Sequence, residues 1–143
     1  MPLEPPQGYR LVPTAPGVED YLRLRRRAGL TPRTPEQAAA ALPGSWLAHH
    51  VVHIATGETV AMGRVLGDGG WCFHVVDMAV LPEHQRRGLG DAVLTTLLEH
   101  IRAHAPAGAY VNLLADPPGR RLYARHGFTD TAPASVGMAL RLG

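Results

Sequence analysis

The join between a long apolar run and the longest helical pattern constrains this chain most. Trp71–Leu81 is almost continuously apolar, as expected of a central strand covered on both faces. Pro82 ends the run, since proline has no N–H for a sheet ladder. A short loop, His84-Gln85-Arg86-Arg87, leads to Gly88-Leu89-Gly90 and then to Asp91–His104. In that helix Val93, Leu94, Leu97, Leu98 and Ile101 form one stripe, while Thr95, Glu99, His100 and Arg102 lie off it. Glycines at a helix start let backbone approach a ligand closely, and the free N–H groups there point outward. With the helix dipole behind them, those donors favour an anion such as pyrophosphate, and Arg86 and Arg87 add charge on the same rim. A bare Gly-x-Gly pair also fits an ordinary strand-to-helix turn. No Gly-Lys-Ser/Thr follows, so it is not a Walker A loop. The third glycine and downstream acid of the dinucleotide fingerprint are missing too.

The other segments supply a sheet for this unit to join. Tyr9–Pro13 reads as a short strand and Val18–Gly29 as a helix with Tyr21, Leu22 and Leu24 clustered. Thr34 is the expected N-cap of a second helix, with Pro35 at its first position and Pro43-Gly44 as its stop. Trp46–Ala55 and Thr59–Leu66 are strands, and Gly67-Asp68-Gly69-Gly70 is a hairpin turn leading into Trp71–Leu81. After the Asp91–His104 helix come a buried-type strand, Tyr110–Ala115, and a helix, Pro118–His126, closed by Gly127. Phe128–Thr131 and Val136–Arg141 read as final strands. The expected order is β-α-α-β-β-β-α-β-α-β-β, an α/β (α+β) fold with a mixed sheet.

At 143 residues the chain suits a single domain, 1–143, with Pro-rich residues 1–8 flexible. No apolar stretch reaches membrane-spanning length, and residues 1–6 lack the basic and apolar regions of a secretory signal. One cysteine, Cys72, excludes an internal disulfide and suits a reducing cytoplasm; it reads as a small buried hydrophobe. The basic clusters Arg23–Arg27 and Arg86-Arg87 have no interleaved aromatics, which argues against nucleic-acid binding and makes the first cluster a solvated helix face. His49, His50 and His53, and His100 and His104, have no carboxylate or cysteine at ligand spacing, so no metal is expected.

Two motifs resemble the GNAT superfamily of acetyl-CoA-dependent N-acetyltransferases. Asp77-Met78-Ala79-Val80-Leu81-Pro82 followed by Gln85-Arg86-Arg87-Gly88-Leu89-Gly90 is similar to its cofactor-binding signature. Leu122-Tyr123-Ala124-Arg125-His126-Gly127-Phe128 is similar to its Leu-Tyr-x-x-x-Gly-Phe motif. Arg64-Val65-Leu66-Gly67-Asp68-Gly69-Gly70 resembles a hairpin found in one bacterial and fungal subgroup. The resemblance runs from Tyr9 to the C-terminus and implies a mostly antiparallel sheet with a splayed cofactor cleft, flanked by helices.

It also implies roles. Backbone groups of Met78, Ala79 and Val80 would pair with the pantetheine arm, and Met78 N–H would serve as oxyanion donor. Gln85, Arg86, Arg87, Gly88, Leu89, Gly90, Asp91 and Ala92 would wrap the pyrophosphate. Tyr123 holds the general-acid position, where a phenol protonates the departing thiolate. An attacking amine must lose a proton, and His74, Asp77 or a water chain are the alternatives for accepting it. The family's Asn-x-x-Ala-x-x-Leu-Tyr is here Asp116-Pro117-Pro118-Gly119-Arg120-Arg121-Leu122-Tyr123. An ionised Asp116 cannot donate to the cofactor arm, and Asn112 is the replacement. Arg64, Asp68 and His74 are expected to face the acceptor. The expected acceptor is a small, weakly charged primary amine, without nucleic acid or membrane. A protein amine, or a non-catalytic acyl-CoA-binding module, is the alternative. Homodimers are frequent in the family.

Overall fold

Apolar residues at period two build a sheet here, and apolar residues at helical period cover it. The computed structural model describes residues 4–143, so residues 1–3 of the expected flexible segment lie outside the described residues. Five strands, β1 (Tyr9–Val12), β2 (Leu47–His53), β3 (Thr59–Gly67), β4 (Cys72–Val80) and β5 (Tyr110–Asn112), lie in the order β1-β2-β3-β4-β5. The first three pairings are antiparallel and β4–β5 is parallel. A parallel pair needs a crossover, which α3 (Leu89–His104) supplies. The remaining helices are α1 (Val18–Arg27), α2 (Pro35–Ala41) and α4 (Arg120–Arg125).

Neighbouring β3 residues show how the two faces are filled, because successive side chains point to opposite sides. Gly63 faces α3, where a Cβ would meet Val93 and Leu97. Arg64 faces α1, with its guanidinium 5.7 Å from the centroid of the Tyr21 ring. The stripe of α3 closes the first face, with Val93, Leu94 and Leu97 fully buried. Local chemistry sets the ends of elements. Thr34 Oγ1 accepts from Gln37 N and Gln37 Oε1 accepts from Thr34 N, a capping box that starts α2 as anticipated. Pro6 and Gly8, within the segment expected to be flexible, accept hydrogen bonds from Tyr9 N and Ile54 N.

Three strand expectations are corrected. β5 stops at Asn112 rather than Ala115, and neither Phe128–Thr131 nor Val136–Arg141 is a strand. Alternation specifies which face of a strand is apolar, not which backbone will pair with it. Among the described residues these segments meet no partner strand.

The tightest point of the sheet is Gly63. A Cβ there would lie 2.6 Å from Met78 Sδ, 2.8 Å from Val93 Cγ1 and 3.0 Å from Leu97 Cδ1. Gly63→Ala is expected to destabilise the fold by about 1–3 kcal/mol through overpacking, read as a lower Tm in thermal unfolding.

Candidate active site

Strands β4 and β5 run together only over Cys72–His74 and Tyr110–Asn112. Beyond that, β4 continues to Val80 with β3 on one edge and, among the described residues, no strand on the other. The chain after Asn112 passes through a 3-10 turn at Pro117–Gly119 into α4. A wedge therefore opens between the outer half of β4 and the β5–α4 segment. At its apex His74 Nδ1 lies 2.6 Å from Asn112 Oδ1. Asn112 Nδ2 donates to Phe73 O at 3.4 Å, which turns Oδ1 toward the imidazole. On this hydrogen-bond network His74 carries its proton on Nδ1 and leaves Nε2 as an acceptor. Asn112 thus commits its Oδ1 to His74 and one N–H to Phe73 O, and keeps a second N–H on the wall of the opening.

The outer half of β4 begins with a bulge. The β3–β4 register passes from Arg64↔Val76 to Met62↔Ala79, so Asp77 and Met78 together oppose Gly63. Asp77 sits at φ +60°, a left-handed conformation that aspartate tolerates better than most side chains. Its carboxylate is almost wholly buried and is held by three donors. Oδ1 accepts from Arg25 Nη1, and Oδ2 accepts from Arg64 Nε at 2.7 Å and from Tyr21 Oη at 2.6 Å. Arg25 also donates to Thr31 O from Nε and Nη2, at 3.0 and 2.6 Å. Arg64 Nη1 donates to Ser45 Oγ at 2.9 Å and to Ala41 O at 3.4 Å. Buried charges persist when paired and hydrogen-bonded in this way. Burial first, and then the bond to Asp77, pushes the Tyr21 phenol above its ordinary range, so it remains a donor.

This cluster corrects two expectations. Asp77 anchors the bulge and is not free to take a proton from an amine. Arg64 is buried inside the protein and does not face an acceptor. Asp68 is also committed, because its Oδ1 accepts from Gly70 N (2.7 Å), Trp71 N (2.9 Å) and Cys72 N (3.1 Å). Those N–H groups, Gly70 first, hold its carboxyl below the usual range, and the residue shapes the hairpin. The expected solvated face of α1 is corrected at Arg25. Cys72 is half-buried rather than core.

The turn into α3 is built around two left-handed residues, Arg86 (φ +62°) and Gly88 (φ +82°). Gly88 is the N-cap and no side chain caps the helix. The first helical bond runs from Ala92 N to Gly88 O, leaving the Leu89, Gly90 and Asp91 N–H groups without helical acceptors. Gln85 Nε2 donates to Val80 O at 3.1 Å, tying the turn to the end of β4. A Cβ at Gly90 would lie 3.4 Å from Leu122 Cδ2 and 3.7 Å from Val80 Cγ2, so α4 and β4 converge on this helix start. Arg86 and Arg87 are exposed, and Arg87 Nη1 donates to Tyr9 Oη at 3.2 Å. Tyr9 Oη lies 2.7 Å from His84 Nδ1 and, accepting from Arg87, donates there. Burial, then His53 and Arg87, push the His84 imidazole below its ordinary value, which suits it as the neutral acceptor. Asp91 Oδ1 lies 2.7 Å from His126 Nε2, and Ala92 is buried, so only its backbone faces the turn.

Tyr123 is half-buried on α4, with its ring edge-on to Phe128 at 6.1 Å. Burial, and then the Asp116 carboxylate, push its phenol above the ordinary value. Tyr123 and Asn112 share the lining of a cavity of about 810 Å³ that His74, Asp77 and Met78 do not reach. Sequence reasoning brought Met78–Val80, Gln85–Gly90 and Tyr123 to one opening and paired His74 with neither Asp77 nor Asn112. It missed Arg25, Tyr21, Tyr9 and His84. Arg25 had a usable signal, since it stands four residues after Tyr21 on the same helical face.

Residues 46–130 match the family model of the acetyltransferase (GNAT) domain. The chain belongs to the GNAT acetyltransferase family. It is 34% identical to a protein of unknown function from methicillin-resistant Staphylococcus aureus, described as a probable acetyltransferase, with a TM-score of 0.89 over 94% of this chain and 99% of that one. Glucosamine-6-phosphate N-acetyltransferase from Arabidopsis thaliana has the same fold at 18% identity, TM-score 0.67, covering 94% and 99%. So does the ribosomal-protein-S18-alanine N-acetyltransferase from Escherichia coli, at 18% identity, TM-score 0.71, covering 87% and 79%. No curated protein matches by sequence. The mixed sheet, open between β4 and β5, is the fold expected for this family.

Asn tolerates the left-handed conformation as Asp does, so Asp77→Asn isolates the charge from the backbone. It leaves Arg25 and Arg64 buried without a counter-ion and is expected to cost about 3–5 kcal/mol, measured by denaturant unfolding.

Proposed function

We propose that this GNAT domain transfers the acetyl group of acetyl-CoA to a primary amine on a small molecule, by direct attack in a ternary complex. The observation that carries the reading is the convergence of the unpaired outer half of β4, the uncapped start of α3 and the Tyr123 helix on one opening. The free N–H groups at Leu89–Asp91, with Arg86 and Arg87 beside them, suit a diphosphate. The open edge of Met78–Val80 suits an extended amide arm that adds to the sheet as a strand does. Acetyl-CoA, when bound, supplies the thioester carbonyl that the amine attacks.

Met78 N–H, projected from the bulge, is the donor for the developing oxyanion. His74 Nε2, with its tautomer held by Asn112, takes the amine proton. His74 and Met78 stand four positions apart, about 13 Å along β4, so the proton travels through water. Tyr123 protonates the departing thiolate. The shift of its phenol has a definite sign: a raised value keeps the hydroxyl protonated throughout the neutral range. Activity that depends on the acid form then persists up to the ordinary phenol value of about 10 and falls only above it.

Free-thiol release from acetyl-CoA is the test, run with a panel of sugar amines, amino acids, alkylamines and peptide N-termini. Tyr123→Phe is expected to lower kcat by about 10²–10⁴-fold, with little change in KM for acetyl-CoA and without the alkaline fall in the pH profile. A preference for peptide N-termini would replace the small-molecule acceptor with a protein amine. CoA binding with no turnover on any amine would make the domain a binding module.

A further inference from the structure

Two sets of contacts hold Tyr123, and they do different things. The first set is local. The Tyr123 ring lies over Gly119, where a Cβ would be 2.7 Å from Cε2 and 3.2 Å from Oη, and it stands edge-on to Phe128 with 6.1 Å between centroids. Tyr123 O accepts from His126 N at 3.0 Å and from Phe128 N at 3.1 Å. All of these partners belong to residues 119–128, so they orient the phenol on its own segment. They do not fix that segment relative to the turn at Gly88–Asp91.

The second set reaches across to α3. Leu122 and His126 are four residues apart, so they lie one above the other on a single face of α4 and its closing turn. A Cβ at Gly90 would lie 3.4 Å from Leu122 Cδ2, and His126 Nε2 donates to Asp91 Oδ1 at 2.7 Å. Consecutive residues of α3 thus receive consecutive turns of α4. A helix of six residues does not persist in water by itself, and the chain enters α4 through a 3-10 turn instead of a strand. The place of α4 therefore depends on the face it lays against α3. Among the described residues, His126 to Asp91 is the only side-chain hydrogen bond joining this helix and its closing residue to another helix or strand.

That contact falls where it bears on the chemistry. Gly90 and Asp91 carry two of the three N–H groups at the start of α3 that have no helical acceptor. The residues that offer donors to an anion thus also anchor the helix that bears the phenol. His126 and Tyr123 are joined through the Tyr123 carbonyl, so a displacement of the one moves the other. The imidazole is 16% exposed and the carboxylate 49%. A half-exposed pair adds little to the stability of the whole chain, and what it fixes is local.

We propose that His126, acting through Asp91, is a positioning residue for acetyl transfer, a role that rests on the reading of Tyr123 as the acid. It holds the Tyr123 hydroxyl at a set distance from the diphosphate turn, and so from the sulfur that the phenol protonates. A misplacement of about 1 Å between reacting groups costs on the order of 10²-fold in rate.

Thiol release at saturating acetyl-CoA, with the best acceptor of the amine panel, tests this on the full chain. His126→Ala is expected to lower kcat by about tenfold or more, while circular dichroism and Tm stay near those of the parent. His126→Gln keeps an amide N–H for Asp91 and is expected to recover most of the loss. In a Tyr123→Phe background, His126→Ala is expected to change kcat by less than about twofold, because no hydroxyl is left to position. Equal losses from His126→Ala with and without the hydroxyl would overturn the positioning role. So would an unchanged kcat in His126→Ala beside a Tyr123→Phe chain that has lost activity. A Tyr123→Phe chain as active as its parent, or no thiol release from any chain, would instead remove the acid assignment and the positioning role together.

Discussion

The buried pairing of Asp77 with Arg25 and Arg64 is the constraint on which the rest of the structure depends. One carboxylate joins α1, β3 and β4, and the remaining guanidinium donors reach Thr31, Ala41 and Ser45. Helices α1 and α2 are thereby bound to one face of the sheet through a polar network instead of through apolar contact alone. The same carboxylate holds β4 at a left-handed residue, so the bulge and the anchoring of the helices are one feature. Placing two guanidiniums around one carboxylate in the interior is costly unless each is paired and hydrogen-bonded, as here, which makes this cluster intolerant of a single change.

The opposite face follows a different logic. There Gly63 gives up its side chain so that Met78, Val93 and Leu97 can close over the bulge from the α3 side. The bulge is thus fixed by ion pairs below and close packing above. For the proposed oxyanion donor at Met78, that rigidity matters because preorganised donors need no rearrangement during reaction. The turn into α3 is held in a similar way by Gln85 on Val80 and by Arg87 on Tyr9. The bulge and the turn are carried on regular elements and fastened by side chains far away in sequence.

Much of this was legible in the sequence. The apolar run from Trp71, its stop at Pro82, the paired glycines and the stripe of α3 have local physical causes and occur where expected. Thr34 and Pro35 start their helix for equally local reasons. The roles of charged residues were less accessible. Arg64, Asp68 and Asp77 read as solvent-facing or chemical groups, and each turned out to hold backbone or another charge. Arg25 stood in a basic run that composition assigns to solvent, yet its helical phase beside Tyr21 takes it inward.

The sequence by itself determined the elements from β1 to α4, the uncapped glycine start of α3 and the family motifs, because period, capping and turn chemistry act over a few residues. Only the tertiary structure decided which charges are paired, where β4 and β5 part, and that Val136–Arg141 pairs with no strand among the described residues. Those outcomes depend on contacts between residues dozens of positions apart, and no local pattern specifies them.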